Sequence, residues 1–396
     1  MRTSLASLIL SLVGLVSIIR LGSSLYLPAL SKMEAEMHIP DHDLAATMSV
    51  YFGFFAVAAL LAGPVADSHG RRPLIFGGVA LFLLGTVLCA LAQGLEMLMA
   101  GRILQAIGGS SIPVVSRAMI GDTCDDEEII HVMGWMGVLN SLAPILAPIL
   151  GGILTQYLGW RSNFYFLLVA TALIGLYSLR TVPETLAAEK RTPLHLGFVL
   201  RAFGSMLASR LFMGVLLPVF FCFALQGAYL SMAPFVFVRE LHISSLAFGL
   251  TTLPLVLALL VGRSFCLFWL RRMSADKVFV LSGGLVLLSG VWAGAVAYGG
   301  GSSILGLLLP TMLFCLGFGS LMPLGLRSVM TAFAHLGGTA AALNTSLMLA
   351  ASAAGSAAGG FALASGHDEF KALCWATSMC GPLVFLSCLI FRKSVK

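Results

Sequence analysis

A chain of 396 residues with 59% hydrophobic and only 10% charged side chains cannot be a water-soluble globular protein, which normally carries roughly 25% charge. The mean hydropathy of +0.98 and a length that holds roughly twelve spans of about 20 apolar residues exclude large soluble domains. The net charge of +6, from 23 basic and 17 acidic residues, does not point to nucleic acid, because the basic residues fall in short connectors between apolar runs, where membrane topology accounts for them.

In chain order, apolar segments run near 5–30, 44–66, 74–94, 97–119, 132–157 and 162–181, then 211–237, 245–268, 278–298, 302–326, 336–362 and 370–391. The first imitates a secretory core up to Ile19, yet continues through Arg20 into Tyr26-Leu27-Pro28-Ala29-Leu30 without a small-residue cleavage signature, and so reads as a span. The expected fold is therefore an all-α integral membrane protein of twelve helices. Residues 1–181 form an amino-terminal six-helix half, 182–209 a charged linker and 210–396 a carboxy-terminal half. The eight cysteines show no close CxxC spacing and read as small packing residues, and no metal or cofactor is expected.

Placing the amino terminus in the cytoplasm puts 17 of the 23 basic residues at inner ends or loops, which predicts both termini inside. The halves also echo each other. The second and eighth spans each run into an arginine pair, Arg71-Arg72 and Arg271-Arg272, and Asn140 precedes Gly151 by the same interval at which Asn344 precedes Gly355. Parallel repeats of this kind place a substrate site at the midplane between halves.

After the second span comes Gly63-Pro64-Val65-Ala66-Asp67-Ser68-His69-Gly70-Arg71-Arg72-Pro73. Asp67 at a helix carboxyl end sits where the macrodipole disfavours an anion, so it needs a positive partner: Arg71, Arg117 or the amino-terminal end of another helix. This string resembles the signature loop of the major facilitator superfamily, G-x-x-x-D-x-x-G-R-R. Arg102-Ile103-Leu104-Gln105-Ala106-Ile107-Gly108 is similar to that superfamily's fourth-helix motif, and the run from Ala143 through Pro144, Ala147 and Pro148 to Gly151-Gly152 is similar to its fifth-helix antiporter motif. Tyr26-Leu27-Pro28-Ala29-Leu30, Gly159-Trp160-Arg161 and Tyr229-Leu230-Ser231 narrow the resemblance to the Bcr/CflA group of twelve-span drug:proton antiporters of the cytoplasmic membrane.

That resemblance implies alternating access, with Gly63, Asp67, Gly70, Arg71, Arg72 and Arg117 as an inner gate latch. Pro144, Pro148, Gly151 and Gly152 would make a bent, close-packing fifth helix, a packing role standing beside a gating one. The departure is at the first span. The group commonly has an acid two positions before the tyrosine of Tyr26-Leu27-Pro28, and here that position is Ser24. None of the 16 acidic residues besides Asp67 falls near the expected membrane centre.

Arg20 lies one helical turn before Ser24, on the same face. A basic residue at midbilayer costs at least about 2.5–3.5 kcal/mol and usually faces a watery cavity. Snorkelling to headgroups and bonding to backbone carbonyls are the competing readings. Arg102 and Arg263 are further cations in spans, and Ser24, Gln105, Asn140, Gln226, Tyr229 and Asn344 are polar groups suited to hydrogen-bond a bound solute. With cations and no anion in the middle, the cargo expected is a small organic anion or zwitterion, such as a siderophore-like polycarboxylate. Proton-coupled multidrug efflux is the alternative, and a non-transporting sensor on the same scaffold is the alternative of another class. If protons are coupled, Asp67 or a carboxylate on the substrate would take part. The expected partners are the substrate and the bilayer, with the chain acting as a monomer. No enzymatic centre and no GxxxxGK[ST] string for ATP-driven transport is present.

Overall fold

The computed structural model describes residues 5–191, 196–332, 337–366 and 368–394. In lipid every backbone polar group must be satisfied within its own segment, so apolar runs of this length fold as helices. Among the described residues fourteen α-helices follow one another: α1 (Leu5–Ser24), α2 (Leu30–Met37), α3 (Asp41–His69), α4 (Arg71–Leu91), α5 (Leu95–Thr123), α6 (Asp126–Leu158), α7 (Arg161–Thr181), α8 (Leu196–Leu207), α9 (Arg210–Phe235), α10 (Ser245–Leu270), α11 (Ala275–Gly299), α12 (Ile304–Ala332), α13 (Gly337–Ala364) and α14 (Glu369–Ser394). A 3-10 turn, Leu27–Ala29, joins α1 to α2 around Pro28, and a π-helical turn, Val236–Glu240, follows α9. No strand occurs among the described residues.

Eleven stretches among the described residues are long and apolar enough to cross a membrane. A shorter apolar helix, Leu146–Leu158, lies within α6, where the sequence predicts the fifth span. Large apolar side chains lie bare on the outside, among them Tyr298 at 83%, Phe361 at 77% and Leu158 at 71% exposure. Water would not tolerate so much of this surface, and lipid is its natural solvent.

The chain divides into two compact units. Unit 1 comprises Met1–Ile39, Val50–His195 and Ser245–Gly249, and unit 2 comprises Pro40–Ser49, Leu196–Ser244 and Leu250–Lys396. Apart from the two short exchanged segments, the division falls between His195 and Leu196. In unit 1, α1 packs on α6 and α7, and α4 on α5 and α7. In unit 2, α9 packs on α13 and α14, and α11 on α12 and α14. The helix pairs recur in the same order, which is what the sequence echo anticipates.

One seat is shared in detail. A Cβ on Gly151 in α6 would run into the carbonyl of Leu25 after α1, and a Cβ on Gly355 in α13 would run into that of Ala224 in α9. Glycine at these two positions lets paired helices touch through their backbones. Unit 2 also holds a charge cluster in which Arg239 donates to Asp41 Oδ2 at 2.6 Å and pairs with Glu369, while Glu240 accepts the Phe370 N–H at 3.0 Å.

Candidate functional site

The string that begins at Gly63 folds more tightly than a loop. α3 continues through His69 and α4 starts at Arg71, so Gly70 alone makes the turn, with φ at +103°. A Cβ there would be strained by that backbone angle and would lie 2.5 Å from Glu184 Oε2. Gly63 therefore sits inside α3 and not in a connector, and the nearest atom to its would-be Cβ is Val114 Cγ1 at 4.0 Å. Close helix approach does not require a glycine there.

Asp67 finds its cation one turn on. Arg71 Nη1 donates to Asp67 Oδ1 at 2.5 Å, and Arg71 Nε to Asp122 Oδ2 at 3.3 Å, so one largely buried guanidinium joins α3 to α5. The backbone N–H groups of Arg71 and Arg72, orphaned at the start of α4, donate to Glu184 Oε1 and Oε2 at 3.0 and 3.1 Å. Glu184 thus supplies the cap that Gly70, with no side chain, cannot. Partial desolvation pushes the Glu184 carboxyl up, but backbone hydrogen bonds from Leu186, Arg71, Arg72 and Thr185 outweigh it and hold the group below the usual carboxylate range. Arg72 Nη2 donates to the Leu179 carbonyl at 3.0 Å. Arg117, expected as a partner for Asp67, has no hydrogen bond or ion pair to a described residue, and its charge acts on Arg20 instead.

The spanning stretch Leu5–Met37 has its middle next to Arg20. The guanidinium is half-buried and makes no hydrogen bond or ion pair with a described residue. It lies within electrostatic range of Arg117 and Tyr51. Ser24, half-buried at the end of α1, sits 3.3 Å from the Ser23 hydroxyl, which donates to the Arg20 carbonyl.

Arg102 and Gln105 behave differently from the expected solute ligands. Both are fully buried. Arg102 Nη1 donates to Gln105 Oε1 at 2.8 Å and to the Gly22 carbonyl at 3.3 Å, and its guanidinium stacks between the rings of Tyr26 and Tyr51, 4.4 and 4.0 Å from their centroids. Gln105 Nε2 passes the chain on to Thr86 Oγ1 at 2.8 Å. A cation so enclosed organises α1, α3, α4 and α5, and a solute does not reach it in this structure. Sequence spacing places Arg102 in a span but does not say that two tyrosines close over it.

In unit 2, Arg263 is half-buried, with Nη2 at 3.8 Å from Met322 Sδ. Asn344 is buried, and its amide reaches Met348 Sδ at 3.7 Å within α13. Gln226 is half-buried with no hydrogen bond to a described residue, and the hydroxyl of Tyr229 is buried without one. The side chains of Asn140 and Pro144 lie outside the described residues. Pro148 is buried in α6, and Gly152 accommodates Ser245 of the short α10 segment within unit 1, whose carbonyl oxygen would be 2.6 Å from a Cβ there.

The sequence model of the Major Facilitator Superfamily matches residues 12–392. The chain belongs to that superfamily. It is 27% identical over 342 residues to multidrug resistance protein D of Escherichia coli, covering 85% of this chain and 84% of that one. It is 29% identical over 279 residues to the chloramphenicol resistance protein CraA of Acinetobacter baumannii, covering 68% and 67%. Among solved structures, a D-xylose-proton symporter superposes with a TM-score of 0.78 at 16% identity, over 98% of this chain and 96% of that one. As a superfamily member the protein is a multi-pass transporter of the cytoplasmic membrane and not an enzyme.

Two residues escaped the sequence reading. Glu184 lies 113 positions from the helix start it caps, and its only signal is an acid in a linker. Tyr51 stands in an apolar run where a tyrosine reads as packing, yet its hydroxyl is buried with no partner among the described residues.

Proposed function

We propose that this protein is a secondary transporter that exports small drug-like organic molecules across the cytoplasmic membrane. The likeness to multidrug resistance protein D along 85% of the chain carries the reading, and the likeness to a chloramphenicol resistance protein points the same way. From the residues alone an organic anion stood first and drug efflux second. The relatives reverse that order. The salt-bridged turn of Asp67, Gly70, Arg71 and Asp122 fits a gate latch, and the partly buried Arg20 supports a cargo that is neutral or anionic in preference to cationic. With no acid at position 24, proton coupling on this reading runs through Asp67 or through an ionisable group on the cargo itself.

The test is expression in a bacterial strain stripped of its own exporters. Drug accumulation is followed for chloramphenicol, an anionic and a cationic dye, with and without an uncoupler. Lower accumulation than in the empty-vector strain, restored by the uncoupler, is the expected result. Accumulation that matches the empty vector for all three overturns the export reading.

A further inference from the structure

We propose that the exposed pair Arg271-Arg272, with Lys277 and the ring of Phe268, binds the phosphate headgroup of an anionic phospholipid in the leaflet that the sequence predicts to be cytoplasmic. The site lies within unit 2 and goes beyond the export reading.

This pair is the repeat of Arg71-Arg72, and the two copies are held in different ways. In unit 1, Asp67 stands four residues before Arg71 and accepts from it, Asp122 takes the same guanidinium, and Arg72 donates to the Leu179 carbonyl. Four residues before Arg271 in unit 2 stands Leu267, 64% exposed. Arg271, Arg272 and Lys277 are all exposed, and none makes a side-chain hydrogen bond or ion pair with a described residue. Asp276, the acid next to them in sequence, pairs with none of the three. Unit 1 satisfies its arginines from within, whereas unit 2 leaves its own to an anion from outside.

The course of α10 makes that anion a lipid headgroup. Leu250, Leu253, Leu257, Val261, Ser264 and Phe268 are all exposed, and steps of three and four residues put them on one face. A bare, almost wholly apolar stripe therefore runs the length of α10, and acyl chains are its natural solvent. One further step of four leads from Phe268 to Arg272. The turn after Leu270, closed by the Arg272 N–H donating to the Trp269 carbonyl at 2.9 Å, brings the Arg272 guanidinium over the Phe268 ring, 4.1 Å from its centroid. A cation that ends a lipid-facing stripe, stacked on an aromatic ring, stands at headgroup depth. Its face is taken by the ring, and its edge N–H groups remain for the two oxygens of a phosphate. A soluble anion would have no use for the stripe.

Native mass spectrometry of the purified full-length protein in detergent, titrated with dioleoyl phosphatidylglycerol or dioleoyl phosphatidylcholine, tests the proposal. Each basic residue near an anionic lipid surface is worth about a fivefold factor, so the first phosphatidylglycerol should bind at least about tenfold more tightly than the first phosphatidylcholine. Arg272→Gln should cut that preference about three- to fivefold, and Arg271→Gln with Arg272→Gln should bring it within about twofold. Leu267→Asp keeps every cation but gives unit 2 the acid that unit 1 has, so it should weaken the preference as Arg271→Gln does. Arg180→Gln removes an exposed charge of unit 1 and should leave the preference as it is. All these positions are exposed, and matching size-exclusion profiles check that the variants fold. Equal affinities for the two lipids in the wild-type protein, a double variant that keeps the preference, or an Arg180→Gln protein as impaired as the double variant would overturn the site. Equimolar inorganic phosphate should leave phosphatidylglycerol bound, and its displacement would assign the arginines to a soluble anion and overturn the lipid.

Discussion

Glu184 Oε1 accepts the backbone N–H of Arg71 at 3.0 Å, although 113 residues separate them. The linker therefore closes back on the turn between α3 and α4 and caps the helix that carries the latch arginine. Glu184→Ala should cost about 0.5–1 kcal/mol, the low end of capping effects because the carboxylate is exposed to water. It should also speed proteolysis of the linker.

The depressed pKa of Glu184 gives the pH dependence its sign. A group whose folded-state pKa lies below its unfolded value contributes its stability above the unfolded value and loses it as pH falls through the folded one. Melting temperature should fall on acidification below the ordinary carboxylate range, and part of that fall should be missing in Glu184→Gln. Parallel melts of the two detergent-solubilised proteins across that range check it, and identical slopes would remove Glu184 from the account.

Asp67 and Asp122 share one guanidinium, at 2.5 and 3.3 Å. Asp67→Asn keeps the shape and removes the charge, so transport should slow at least about tenfold while binding of cargo to the purified protein changes less than about twofold. Equal losses in both would assign Asp67 to cargo and not to the latch. Arg71→Lys should behave like Asp67→Asn, because a lysine cannot span two carboxylates with a planar fork.

The turn was legible because Asp67, Gly70, Arg71 and Arg72 are neighbours in sequence, and local spacing is what a sequence records directly. The helices were legible because lipid imposes length and hydropathy on each. The helix pairing of the two units was legible in outline from the matched Asn140–Gly151 and Asn344–Gly355 intervals. The rest depends on contacts between distant segments. Nothing in the string around Arg102 announces that Tyr26 and Tyr51 enclose it, and nothing marks Pro40–Ser49 as belonging with unit 2 while the remainder of α3 belongs with unit 1. An arginine in a span reads the same whether its head meets water or aromatic rings.

Gly151 and Gly355 give a packing test with an internal control. Alanine at either position would place its Cβ against a backbone carbonyl, of Leu25 or Ala224, that no rotamer change relieves. Each substitution should cost about 1–3 kcal/mol and reduce the yield of folded protein. Gly77→Ala on α4, where nothing lies within 4 Å of the new methyl, should be neutral or slightly stabilising. Size-exclusion profiles and melts of the three variants decide it, and a well-folded Gly151→Ala protein would mean that α1 and α6 do not hold this separation.

Arg102 is the sharpest test of how unit 1 is organised, because it is fully buried and touches neutral groups from several segments. Two aromatic faces at 4.0 and 4.4 Å and two oxygen acceptors replace its water, and desolvated cation–π contacts reach about 2 kcal/mol each. Arg102→Lys keeps the charge but loses the planar stack and the fork, so Tyr51 should lose its fixed pose. The expected result is a loss of about 2–4 kcal/mol in stability, in the range of other disrupted buried networks. Gln105→Leu separates the two effects: it cuts the bonds to Arg102 and Thr86 but leaves both tyrosines on the guanidinium. It should lower stability by about 1–3 kcal/mol, the cost of leaving a buried donor unsatisfied. If Gln105→Leu costs as much stability as Arg102→Lys in parallel melts, the hydrogen-bonded chain from Arg102 to Thr86 and not the stacked rings holds this part of unit 1 together.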